Sequence, residues 1–164
     1  MKEDRDAADQ RRVAAPTDSA FPLVGLDDGV LRGVWIDGAI RAFLGVPFAR
    51  PPVGPLRWQP PQPNEPWDGV RDANRFAARC PQPPSTAPLN VASEDCLNLN
   101  VWTPKDAKKL PVMVWIYGGG HVNGSNSDLP YDGQYFARRG VVLVLINYRL
   151  GVFGFFGAEE LADE

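Results

Sequence analysis

Two hydrophobic patterns alternate along the second half of the chain. Over residues 96–102, written CLNLNVW, Leu97, Leu99 and Val101 alternate with Asn98, Asn100 and Trp102, a period of two that predicts a half-buried strand. Over 110–117 (LPVMVWIY) and again from 141 (VVLVLI) the apolar residues run on without a break, which predicts strands covered on both faces. Between these runs, YDGQYFARRG places Tyr131, Tyr135 and Phe136 at helical intervals and closes on Gly140, a helix-ending residue. Strand, loop, helix, strand is the grammar of an α/β sheet. Nearer the start, residues 29–49 (GVLRGVWIDGAIRAFLGVPFA) read as two short strands joined at Asp37-Gly38, a dipeptide suited to the positive φ angles of a hairpin turn.

Proline interrupts this regularity. Twelve of the 17 prolines fall between Pro47 and Pro88, which excludes regular helix or central strand there and predicts a stiff segment wrapping the surface. A short helix is expected within it, over RDANRFAARC at 71–80. The 164 residues are enough for one domain. The first 20 residues, charged and without an apolar stretch, read as a disordered leader, leaving 21–164 as the folded part. No signal peptide is visible, so a cytoplasmic location follows if Met1 is the true start and export if it is not.

A net charge of −3 leaves no basic surplus for nucleic acid. The longest apolar runs are six residues against the about 20 a membrane-spanning helix needs. One histidine and two cysteines, Cys80 and Cys96, do not make a zinc site. No metal or other cofactor is therefore expected.

The chemistry is carried by WIYGGGHVNGS at 115–125, where a β-prone run meets three consecutive glycines. Three glycines weaken the ordering of a backbone, so their presence points to a need for bare main chain. At the carboxyl end of a strand in an open α/β sheet, exposed N–H groups can hold either a phosphate or the oxyanion formed when an ester carbonyl is attacked. Both phosphate fingerprints need spaced glycines or a terminal Gly-Lys-Ser/Thr, and neither pattern is present. A contiguous triplet between strand and helix matches the oxyanion loop of lipases and esterases.

Four segments in register carry a wider resemblance: FLGVPFARPPVGPLRWQPPQPNEPWDGVRDANRFAARCPQ, SEDCLNLNVWTP, PVMVWIYGGGHVNGS and INYRLGVFGFF. Together they resemble the amino-terminal part of the type-B carboxylesterases, the group that includes the cholinesterases. The resemblance implies the amino-terminal portion of an α/β-hydrolase sheet. It also implies a serine esterase with a Ser, acid and His triad, acting on a small-molecule carboxylic ester. It assigns Gly119 and Gly120 as oxyanion-hole donors, pairs Cys80 with Cys96 as a disulfide if the protein is exported, and pairs Arg57 with Glu94 as a structural ion pair. It leaves Arg149 seeking an acidic partner from outside these residues.

The nucleophile that the resemblance calls for, on a G-x-S-x-G elbow, is not found at Ser19, Ser85, Ser93, Ser125 or Ser127. The chain is thus expected to stop short of the triad and to be inactive alone. His121 precedes any such serine, the wrong order for a triad base, and stands where the family usually has an aromatic residue; it is expected as a pocket wall. The Asn123-Gly124-Ser125 triplet fits a glycosylation site, although a glycan there would block the cleft. Five tryptophans, Trp35, Trp58, Trp67, Trp102 and Trp115, are expected as core or wrap anchors. An alternative function, a non-catalytic adhesion or scaffold protein of cholinesterase type, would leave the glycine triplet without a purpose.

Overall fold

The computed structural model describes residues 20–84 and 90–157; all but the last residue of the expected leader, Ser85 and the final residues lie outside them. In chain order the strands are β1 (Leu23–Leu26), β2 (Gly29–Arg32), β3 (Val34–Ile36), β4 (Ile40–Pro47), β5 (Val70–Asp72), β6 (Asn98–Pro104), β7 (Val112–Ile116) and β8 (Val142–Ile146). Two short helices follow β7 and β8: α1 (Gln134–Ala137) and α2 (Gly151–Phe155). The strands form a three-stranded sheet, β1-β2-β5, and a five-stranded sheet, β3-β4-β6-β8-β7. In the larger sheet β7 and β8 are parallel and all other neighbours antiparallel.

The turn between β3 and β4 lies where the sequence places it, with Asp37 and Gly38 both at positive φ. The strand before it divides in two, however. Residues 29–32 leave the larger sheet and pair instead with β1 and β5. The helix expected over 71–80 does not form. Ala73 donates its N–H to the Arg32 carbonyl and accepts from Leu44 N–H, so sheet partners have taken the backbone groups that a helix would have used internally.

The larger sheet packs apolar residues on both faces. On one, Ala42, Trp102, Leu143 and Leu145 meet Ala137 of α1. On the other, Phe43 and Val46, with Leu99 and Val101, pack against Leu31 and Ala73 of the smaller sheet region. Apart from β5, the wrap has little regular structure among the described residues, its one helical element there being a 3-10 turn at Gly54–Leu56. Trp67 anchors it by donating its indole N–H to the Val30 carbonyl at 3.1 Å.

Strand β6 turns the asparagine side of its alternation inward. Asn98 and Asn100 are buried, whereas Leu99 and Val101 are only partly so. The physical reason is what covers that face. The loop after β7 lays its own backbone across β6, and backbone amides need polar partners. Asn100 donates to the Asn126 carbonyl at 3.0 Å and accepts the Gly45 N–H at 2.8 Å. Asn126 donates its N–H to Asn147 Oδ1 at 2.9 Å and its amide to Asn98 Oδ1 at 3.0 Å. Replacing Asn100 with leucine, which keeps the branching but has no polar side-chain atoms, leaves the Gly45 N–H and the Asn126 carbonyl without those partners. We expect that variant of the full-length protein to lose about 2–4 kcal/mol of unfolding free energy, read from denaturant titration. A loss well under 1 kcal/mol would show that the loop does not depend on this amide.

Strand β7 is not covered on both faces as its unbroken apolar run suggests. All five of its residues are exposed, because it forms an edge of the sheet and α1 covers β6 and β8 instead.

Candidate active site

The glycine triplet leaves β7 through Tyr117, which is buried together with Leu150 and with Cys80 and Cys96. The two cysteines are joined as a disulfide, their Cα atoms 5.0 Å apart. The Tyr117 ring stacks on Tyr148 with 4.7 Å between centroids, and the Tyr148 hydroxyl donates to the Tyr117 carbonyl at 2.9 Å. Burial pushes the ionisation of both phenols upward, so both remain neutral hydroxyls at physiological pH.

Beyond Tyr117 the loop folds into a tight coil. Gly119, Gly120 and His121 have φ of 128°, 61° and 64°, and the Gly119 carbonyl accepts the N–H groups of Val122 and Asn123. A Cβ on Gly119 would overlap the Asn123 carbonyl oxygen, so the close approach and the positive φ both demand glycine there. No acceptor among the described residues takes the N–H of Gly119 or of Gly120. Both glycines line an open recess of ≈ 340 Å³ at the carboxyl end of β7, whose walls include Tyr148, His121 and Phe155.

The far end of the loop is clamped. Gln82, two residues after Cys80, accepts the Gly124 N–H at 3.0 Å and donates back to the Gly124 carbonyl at 2.9 Å. Ser125 and Ser127 are buried and share a hydrogen bond between their hydroxyls at 2.7 Å, while Asp128 accepts the Ser125 N–H at 3.0 Å. Both serines are therefore structural. The buried Ser125 also leaves the glycosylation triplet with its hydroxyl engaged inside the protein. Nothing in the sequence around Gln82 marks it as a loop clamp; only the return of the wrap past the glycine loop brings the two together.

Arg57 and Glu94 meet as a two-pronged pair, with Nε–Oε2 at 2.6 Å and Nη2–Oε1 at 2.7 Å. It fastens the wrap to the segment leading into β6. Arg149 lines the same groove and donates to the Gln59 carbonyl at 3.0 Å; among the described residues it has no carboxylate partner. Hydrogen bonding to Arg57 and its positive charge hold the Glu94 carboxyl below its ordinary 4.5. A depressed carboxyl contributes stability that is complete above the unfolded value and disappears as pH falls through the folded one. Acidification below about 4.5 should therefore destabilise the full-length parent more steeply than its Arg57→Met variant. Denaturant midpoints measured across that range check this, and parallel profiles would overturn it.

The carboxylesterase family model matches residues 20–163. Fumonisin B1 esterase of Sphingopyxis macrogoltabida is 46% identical over 157 residues, covering 93% of this chain and 29% of that protein. Cocaine esterase of Oryctolagus cuniculus is 45% identical over 159 residues, covering 85% and 30% respectively. Among solved structures, a PNB esterase superposes with a TM-score of 0.74 at 42% identity over 80% of this chain and 28% of that one. A Geobacillus stearothermophilus carboxylesterase gives 0.70 at 46% identity, over 77% and 26%. The chain thus spans less than a third of the length of these relatives. The sheet is that of an α/β-hydrolase in part, and the chain belongs to the carboxylesterase family.

Proposed function

We propose that these residues supply the oxyanion-hole loop of a serine carboxylic ester hydrolase, whose nucleophile lies outside the 164 residues. The observation that carries this reading is the pair of N–H groups on Gly119 and Gly120, without acceptors among the described residues and bordering a recess at a strand's carboxyl end. When a serine attacks an ester carbonyl, the carbonyl oxygen becomes an alkoxide. Donors already in place stabilise that charge without reorganising at the moment of reaction. The loop is suited to hold its shape, since Gly119 sits where only glycine fits and Gln82 clamps its far end. A third donor in this fold is the N–H following the nucleophile.

The test is the full-length protein that contains these residues. It should hydrolyse simple carboxylic esters and take up one fluorophosphonate label at a serine after residue 164. Turnover that survives complete labelling, or no turnover with any ester, would overturn the reading.

A further inference from the structure

His121 carries an imidazole that the fold does not need. It occupies the left-handed region at φ 64°, where a residue with a Cβ is disfavoured and glycine is not. Its main-chain carbonyl accepts the Gly151 N–H at 2.8 Å, a bond indifferent to the side chain. The imidazole itself is exposed and makes no hydrogen bond to a described residue. Its stacking on Phe155, at 4.2 Å and 12° between ring planes, is a contact phenylalanine makes equally well. Stability therefore accounts for an aromatic ring at this position and leaves its nitrogens unexplained.

The surroundings give those nitrogens a use. His121 lines the recess that holds Gly119 and Gly120. The other ionisable groups on that wall are the phenols of Tyr117 and Tyr148, both kept neutral. Helix α2, which supplies Phe155, has no ionisable side chain. Arg149 turns to the Gln59 carbonyl, and Asp128 holds the Ser125 N–H. Among the described residues, no carboxylate lines the recess. A protonated imidazole there has no counter-charge among the described residues.

We propose that His121 is a specificity-determining residue that, when protonated, pairs with a carboxylate carried by the ester close to its scissile carbonyl. The preferred substrates are then half-esters of dicarboxylic acids. This rests on the esterase reading and names the substrate class of the same site. A neutral ester of similar shape loses the pairing, while the Gly119 and Gly120 donors serve both substrates alike.

The experiment compares ethyl hydrogen glutarate with ethyl pentanoate on the full-length protein, reading the ratio of their kcat/KM values at about pH 6. The glutarate carboxylate is ionised there, and the state of the catalytic groups cancels in the ratio. His121→Phe should lower the ratio about fivefold, mainly through KM. His121→Lys should restore it, since its ammonium offers the carboxylate the same charge. A ratio unchanged in His121→Phe overturns the inference alone, as does an equal loss on both esters. A parent that hydrolyses neither ester, nor any other, overturns the esterase reading and this inference with it.

Discussion

Gly119→Ala in the full-length protein should lower kcat for a simple ester by at least about 1000-fold, the upper end for losing one oxyanion donor. The new methyl group would be forced into the Asn123 carbonyl oxygen, and φ of 128° is closed to alanine. The backbone at 119 must therefore rotate, carrying its own N–H and that of Gly120 out of the position proposed for holding the oxyanion. Because the defect is confined to an exposed loop, unfolding temperature should change far less than rate. Single-turnover acylation measured beside thermal unfolding separates the two effects. A variant that acylates at the parent rate would remove Gly119 from the reaction.

The 164 residues expressed alone should give no ester turnover and should self-associate. Ser125 and Ser127 are buried and bonded to each other, Ser93 lies in the wrap, and none of the five serines sits on an elbow. Without a nucleophile, positioned donors form no acyl-enzyme. Association follows from β7, whose Val112 is 61% exposed, Val114 57% and Ile116 63%, on an unpaired sheet edge. An apolar edge with free backbone groups is a template for pairing with another chain. Sedimentation velocity should show oligomers or aggregate, and Val114→Lys with Ile116→Lys should shift the distribution toward monomer. A parent chain that stays monomeric and unfolds cooperatively would show that β7 needs no partner. Serine-dependent hydrolysis by these residues alone would overturn the mechanism.

How far the fold can be read from the chain differs from element to element. The β3–β4 turn is local chemistry, since Asp37-Gly38 accepts positive φ at both positions whatever surrounds it. The glycine triplet is similarly legible, because bare backbone at the end of a strand has few uses. Strand β6 is legible as a strand but not in its orientation. A period of two says that faces alternate, and it cannot say which face a polar loop will cover. The stretch 71–80 misleads for a related reason. Its alanines and arginines favour helix locally, yet Arg32 and Leu44 claim the backbone of Ala73 from distant strands. The links between Cys80 and Cys96 and between Arg57 and Glu94 came through family resemblance, since spacing alone does not say which residues meet.

By itself the sequence determined the family, the strand-loop-helix-strand order around the glycines and the absence of an elbow serine among these residues. Those are matters of residue identity and short-range spacing. Tertiary structure alone decided that Asn98 and Asn100 turn inward, that Gln82 grips Gly124, that β7 stands exposed at an edge and that His121 meets Phe155 at the recess. Each of these depends on a partner at least 20 residues away or on a face left open, and local propensity carries no information about which distant group arrives.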